Sequence, residues 1–427
     1  MLPCLALVLG VALGQTASAP DTATAPASSS APATTTAPAP VRAPATATAP
    51  AETATTISGE PIFGKLLRID QGQAEFAPGG ATRKVPITDL WRVRLRDHED
   101  LMSRRGQKLL LLRDGGEIAC DEVGLQAGEM TLKGRQLAQA VVNISAAAVV
   151  YLTAGEQTPA GVQRRHREMN LPAANTDFLV AENARGEWVP APGVLKSIAD
   201  GKVTFEWDKQ DRTLDVGTVR VIQLAPVPGK VAAPRGRLTG ADGSVVPFGS
   251  IAFDGKSFTV TGAGLSLTLP EEAVAEIRLQ SDRLTYLSDL QPAKVVQKGQ
   301  FDMAFPYRAD RSSAGGPLRL GGMTHAKGLG LHSRCELSYN LEGKFAVFAA
   351  TAGIDEAAGA HGDASLTVRG DGKDLLGPVD LKAGQAPVPV RCRLAGVWQL
   401  VILVDFGEDS LDVGDHVDLV DARLIVP

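Results

Sequence analysis

The sequence predicts an all-β protein: a C-terminal β-sandwich or barrel, preceded by two small β-barrel or roll domains built from repeated β-units. Three observations carry this expectation. Apolar residues alternate or run unbroken in strand-length pieces such as ELSYNL (336–341) and VWQLVILVDF (397–406), the patterns of half-buried and fully buried strands. Gly and Asp-Gly turns punctuate these pieces, as in SLTVRGDG (365–372). Helix-period stretches are nearly absent from the last third, and short strands at fairly regular spacing are the pattern of a sandwich or barrel.

Taken in chain order, Leu2 to Leu13 is an apolar run too short to span a bilayer, with small residues for cleavage at Ala12-Leu13-Gly14 or Ala17-Ser18-Ala19. Residues 1–14 are therefore read as a secretory signal peptide, and the protein as secreted, periplasmic or at the cell surface, without a transmembrane span. Cys4 lies at the start of the run, which argues against a lipoprotein anchor. From Gln15 to Thr56 all residues but Gln15, Asp21, Val41, Arg42 and Glu52 are Ala, Thr, Pro or Ser. Such a tract buries too little apolar surface to offset the entropy of ordering and is expected to be a disordered, proline-stiffened tether.

Four β-units follow. They begin near Phe63, Leu111, Gly193 and Leu238, and each ends in an apolar closing strand. Asp114-Gly115, Asp200-Gly201, Asp242-Gly243 and Asp254-Gly255 are hairpin signals, because Gly takes positive φ without a Cβ clash. Pairs of units are expected to form one domain over 57–155 and another over 177–280. The polar run Gln163 to Thr176, with Arg164, Arg165, His166 and Arg167, reads as a solvated linker between them. No P-loop, GxSxG elbow, HExxH or CxxC pair occurs in these units, so the chain is expected not to be an enzyme. Glu271 and Glu272 follow a proline at the head of a strand connection, where acids commonly sit in water.

The net charge of −5 gives no electrostatic footprint for nucleic acid. Three cysteines remain after signal removal, so there is no disulfide framework, although Cys335 and Cys392 could pair in an exported protein; Cys120 is expected to be a buried free thiol. Four of the six histidines, His325, His332, His361 and His416, lie in the last third. His332 with His416, Asp415 and Asp418 has the atoms for a transition-metal set, but no two histidines have a recognised ligand spacing. The acidic run Asp405, Glu408, Asp409, Asp412, Asp415, Asp418 and Asp421 has the hard oxygens that suit calcium, with Asp415, Asp418 and Asp421 as the candidate ligands.

Five ordered blocks mark residues 283–427: YLSDLQP from Tyr286, FPYRADRSSAGGPLRLGG from Phe305, KGLGLHS from Lys327, ELSYNLEGKFAVFAATAGID from Glu336 and DHVDLVDARL from Asp415. In these blocks the segment resembles the NPCBM family of carbohydrate-binding modules. The resemblance implies a galactose-binding-like β-sandwich, a structural calcium, and binding of a polysaccharide or glycoprotein glycan. Where many members of that family carry an aromatic residue in the last block, this chain has Leu419. If that position packs the core, leucine is a tolerable replacement; if it stacks on sugar, affinity is lost.

Sugar recognition needs planar apolar faces for the C–H side of a pyranose and fixed polar groups for its hydroxyls. His332, Arg334, Tyr307 and Asp418 are the candidates at a loop edge, while Phe345, Phe348, Phe406 and Trp398 are expected in the core. The sequence thus points to an exported, non-catalytic glycan-binding protein. A second reading is an envelope structural or adhesion protein whose sandwich binds another protein. A third is a polysaccharide hydrolase, or an accessory chain of one, with its site in the middle region.

Overall fold

The computed structural model describes residues 52–79, 81–96, 108–134, 137–153, 158–172, 175–229, 232–300 and 305–427. The signal segment and the tether up to residue 51 lie outside these. Glu52–Thr56, expected in the tether, is instead the first strand, paired with Pro61–Phe63 and Leu90–Arg94. Ala54 is buried in the core, so the end of this low-complexity tract is ordered by tertiary pairing that its composition does not encode.

The same succession of elements recurs four times: four or five consecutive strands, one turn of 3-10 helix and a closing strand. The 3-10 turns are Ile87–Asp89, Ile144–Ala146, Val216–Thr218 and Glu271–Ala273. All four Asp-Gly pairs sit at hairpin turns, with positive φ at each glycine. In every unit the closing strand returns antiparallel to the unit's own first strand: Leu90–Arg94 on Glu52–Thr56, Ala147–Leu152 on Lys108–Leu112, Val219–Gln223 on Asp177–Glu182, and Val274–Leu279 on Gly236–Gly240. Each unit is therefore its own small roll, whereas the sequence suggested two units per roll.

Partnership between rolls also departs from chain order. The closing strands pair first unit with fourth and second with third. The second and fourth are joined through Leu137–Asn143 and Leu265–Pro270. Each closing strand is thus hydrogen-bonded on both edges, to its own unit and to a neighbouring one. One continuous apolar interior runs from Ala54 to Ile277 through all four units, so 57–155 and 177–280 do not have separate cores.

The expected linker around 163–176 contains the only α-helix among the described residues, Pro159–Met169. Thr158 caps it by accepting from the Gly161 amide at 3.2 Å, and Asn170 ends it in the left-handed conformation. Val162 and His166 are buried, His166 bonding Tyr151 at 3.1 Å and Gln223 at 3.0 Å. The helix thus fills a surface of the second and third rolls.

Residues from Leu284 onward form the sandwich. One sheet orders Arg308–Ala309, Gly328–His332, His416–Ile425, Val347–Ile354 and Val388–Arg393, with Leu284–Tyr286 also on His416–Ile425; the other orders Lys294–Gln297, Cys335–Asn340, Gln399–Phe406, Asp363–Gly370 and Lys373–Lys382. Between them lie Leu329, Leu337, Phe348, Leu366, Ile402 and Leu424. Leu419 is 0% exposed in this core, paired with Leu329 and Ala352, so its position serves packing. Cys120, Cys335 and Cys392 are all buried free thiols, and Cys335 and Cys392 lie on opposite sheets.

The sandwich is seated on the first roll. Trp91 lies 3.9 Å from the Arg423 guanidinium and 5.3 Å from that of Arg278, and its indole N–H donates to the Tyr286 hydroxyl at 3.2 Å. Ile57 and Trp91 pack with Ala349 and Ile425. Arg423 also donates to the Ile57 carbonyl at 3.0 Å, and Arg391 to that of Ser58 at 2.8 Å.

Candidate functional site

The sandwich has two ends, fixed by the strand pair Cys335–Asn340 and Gln399–Phe406. Cys335 faces Val404 at one end, and Asn340 faces Gln399 at the other. The KGLGLHS strand delivers His332 to the first end, opposite His416. There the His332 ring stacks on Phe305 with centroids 4.0 Å apart and meets His416 edge-on at 4.9 Å.

Several loops close around this trio. His416 Nδ1 bonds Ser313 Oγ at 2.5 Å, Gln300 donates its amide to Asp412 at 2.9 Å and its side chain to the Ser410 carbonyl at 2.6 Å, and the Lys298 amide donates to the Arg334 carbonyl at 3.0 Å. Burial lowers the pKa of both His332 and His416, so both rings are neutral at neutral pH. Arg334 stands at the rim with 56% of its side chain exposed, 3.5 Å from Asp405. Leu411 and Val413 of the neighbouring loop are exposed as well. The end therefore combines a neutral aromatic cluster, an exposed cation beside a carboxylate, and an apolar rim, which are groups suited to an uncharged polyhydroxylated ligand.

The four sequence-derived candidates are only partly brought together. His332 and Arg334 belong to this end, His332 as a buried ring and Arg334 as the exposed group. Tyr307 packs half-buried against the core, two residues from Phe305. Asp418 is 0% exposed inside the sheet, between Gly330 and Gly353, and is not at a loop edge. Its Oδ2 accepts from the Arg319 amide at 2.9 Å, while its Oδ1 has no partner. Burial, with Asp355 adding to it, pushes its pKa up to about 8.

The proposed calcium ligands do not converge. Asp415, Asp418 and Asp421 follow one another along a single strand, spanning roughly 20 Å at ~3.3 Å per residue. Asp415 accepts from the Ser333 hydroxyl and from the Asp363 amide at 2.9 Å, and burial pushes its pKa up to about 6. Asp421 instead meets His325 at 3.1 Å and, across the joint with the fourth roll, Arg278 at 3.2 Å. No group of three or more His, Cys, Asp or Glu residues among the described residues could hold a metal. Asp415, Asp418 and Asp421 therefore do not form one calcium ligand set.

Trp398 is the largest departure from the sequence reading. Expected in the core, it is 66% exposed at the other end of the sandwich. It precedes the buried strand Gln399–Phe406 and belongs to the turn before it. The Ala395-Gly396 pair upstream was the signal that this turn was near. Phe305 carried no signal of its own beyond its place in a family-like block.

Residues 283–425 match the NPCBM/NEW2 domain, so the C-terminal third is a domain of that family. A protein named "Putative endo-alpha-N-acetylgalactosaminidase" from Renibacterium salmoninarum is 32% identical over 142 residues, which make up 32% of this chain and 9% of that protein. The chain thus spans under a tenth of this relative's length. Among solved structures, a CBM51 module from Clostridium perfringens in complex with methyl-galactose aligns at 25% identity with 33% of this chain and 99% of its own, with a TM-score of 0.30. Tandem CBM51 modules of a family 98 glycoside hydrolase from Streptococcus pneumoniae align at 13% identity with 75% of this chain and 88% of theirs, also with a TM-score of 0.30.

Proposed function

We propose that this chain is an exported, non-catalytic glycan-binding protein that recognises a polysaccharide or glycoprotein glycan at the His332 end of its sandwich. The observation that carries this reading is the convergence of loops on the Phe305, His332 and His416 rings with Arg334 exposed beside them. The NPCBM/NEW2 family of residues 283–425 supports it, and the relative named as an N-acetylgalactosaminidase makes N-acetylgalactosamine a first sugar to try. The four fused rolls supply a stiff base, since the sandwich is held to the first of them by a buried aromatic and ionic joint.

The test is titration of the full chain with a panel of soluble polysaccharides and monosaccharides. Arg334→Ala removes a charged donor, and a lost hydrogen bond to a charged group is worth ~1.5–3 kcal/mol, so binding should weaken about tenfold or more. Saturable binding that Arg334→Ala leaves unchanged would place the site elsewhere. A folded chain that binds no glycan would transfer the reading to an envelope component that binds protein.

A further inference from the structure

We propose that Trp398 is a second sugar-binding platform, at the opposite end of the sandwich from Arg334, which takes one uncharged pyranose ring. The proposal rests on the glycan-binding reading of this domain and adds a site to it. Trp398 is the most exposed of the large apolar residues described, at 66%. Its backbone is nevertheless tightly held. Its amide donates to both carboxylate oxygens of Asp371, at 3.1 and 3.2 Å, the Gln399 amide donates to the same carboxylate at 2.8 Å, and its carbonyl accepts from the Leu341 amide at 2.7 Å.

Three turns thus hold the backbone that presents an exposed indole, an arrangement that core packing does not call for. Gly343 lies beside the ring: its φ is +69°, and a methyl group there would stand 3.6 Å from the indole nitrogen. With glycine the ring edge stays open. Around the platform are exposed groups of both signs, Asp371, Glu342 and Lys344, the last two paired with each other. Such a rim can bond hydroxyls without favouring a charged ligand.

Size decides between occupants. A stable protein interface buries about 800 Å² per partner, whereas an aromatic side chain offers ~150–250 Å² in all. A lone indole with Val397 half-buried beside it matches a single sugar ring, whose axial C–H face is flat and apolar.

The test uses the full chain as wild type, Trp398→Ala, Trp398→Phe and Arg334→Ala. Each is titrated with galactose, N-acetylgalactosamine, N-acetylglucosamine, glucose, mannose and fucose, by calorimetry and by tryptophan emission. The chain has four tryptophans, and Trp91 is buried at the joint. Sugar should shift the emission of wild type and Arg334→Ala, and the shift should vanish in Trp398→Ala with at least tenfold weaker binding of that sugar. Trp398→Phe should retain part of the affinity. If wild type binds a sugar and Trp398→Ala titrates identically with the same emission change, the second platform is overturned while glycan binding at the other end stands. If wild type binds none of these sugars by either readout, the second platform is overturned, and the polysaccharide titration alone decides the reading at the Arg334 end.

Discussion

Replacing Asp421 with asparagine keeps the shape of the side chain but removes the anion at the joint between the sandwich and the rolls, where it faces Arg278 of the fourth. Asp421 is buried, 3.1 Å from His325 and 3.2 Å from Arg278, with Arg423 also buried close by. Burial opposes its ionisation, but the His325 bond and the Arg278 charge outweigh this and hold its pKa below the ordinary carboxylate value. The same anion, with Glu276, raises the pKa of Arg278 against its own burial, while burial brings Arg423 down to about 10. One charge pair at this distance is worth roughly 5 kcal/mol at an effective dielectric of 20. Asparagine keeps part of the hydrogen bonding, so Asp421→Asn should cost about 3–5 kcal/mol, the usual cost of stranding a buried partner charge.

The assay is urea denaturation of the full chain, followed by circular dichroism and by tryptophan emission, at several pH values. Because the folded pKa is depressed, the stabilisation by Asp421 is fully present above the unfolded value near pH 4 and is lost as pH falls through the folded pKa. The gap between wild type and variant should therefore be constant from pH 8 to about 4.5 and close below that. A gap under about 1 kcal/mol at neutral pH, or one that widens on acidification, refutes the assignment of Asp421 as the counter-ion of the joint.

Asp418 predicts the opposite pH dependence. Its folded pKa is raised to about 8 and that of Asp415 to about 6, so the folded state binds more protons, and their contribution to stability falls as pH rises from about 4 to 8. Asp418→Asn should flatten that slope and be at least as stable as wild type at pH 8, as read by urea midpoints at pH 5 and pH 8. Since the three carboxylates do not converge, millimolar calcium or a chelator should leave the thermal midpoint of the full chain unchanged; a rise with calcium that Asp418→Asn abolishes would restore the metal reading. Arg334→Ala and Trp398→Ala complete the set through the binding titrations already described.

Strand identity was legible because it is local. Alternation, apolar runs and Asp-Gly turns each act within a few residues, and they set the hairpins and the closing strands. The five family-like blocks likewise located the sandwich. The site was legible only in part: His332 and Arg334 reached one end together, but Asp418 and Trp398 exchanged their expected surroundings. Asp418 looks like a surface acid, yet it lies on an inner strand, paired with Gly330 on one edge and Gly353 on the other. Trp398 looks like core because it abuts an apolar run, yet it sits one residue before that run's strand begins.

By itself, then, the sequence determined which segments pair as hairpins and where the chain turns, since turn chemistry and period-two patterning carry that information locally, while the family-like blocks marked the last third as a sandwich. The tertiary structure alone decided which roll pairs with which, that Glu52–Thr56 is a strand, that Asp415, Asp418 and Asp421 serve three separate places, and that an indole faces water. These outcomes depend on contacts between residues far apart in the chain, such as Asp421 with Arg278 or Ala54 with Val93, and burial at such contacts is a property of the neighbour as much as of the residue.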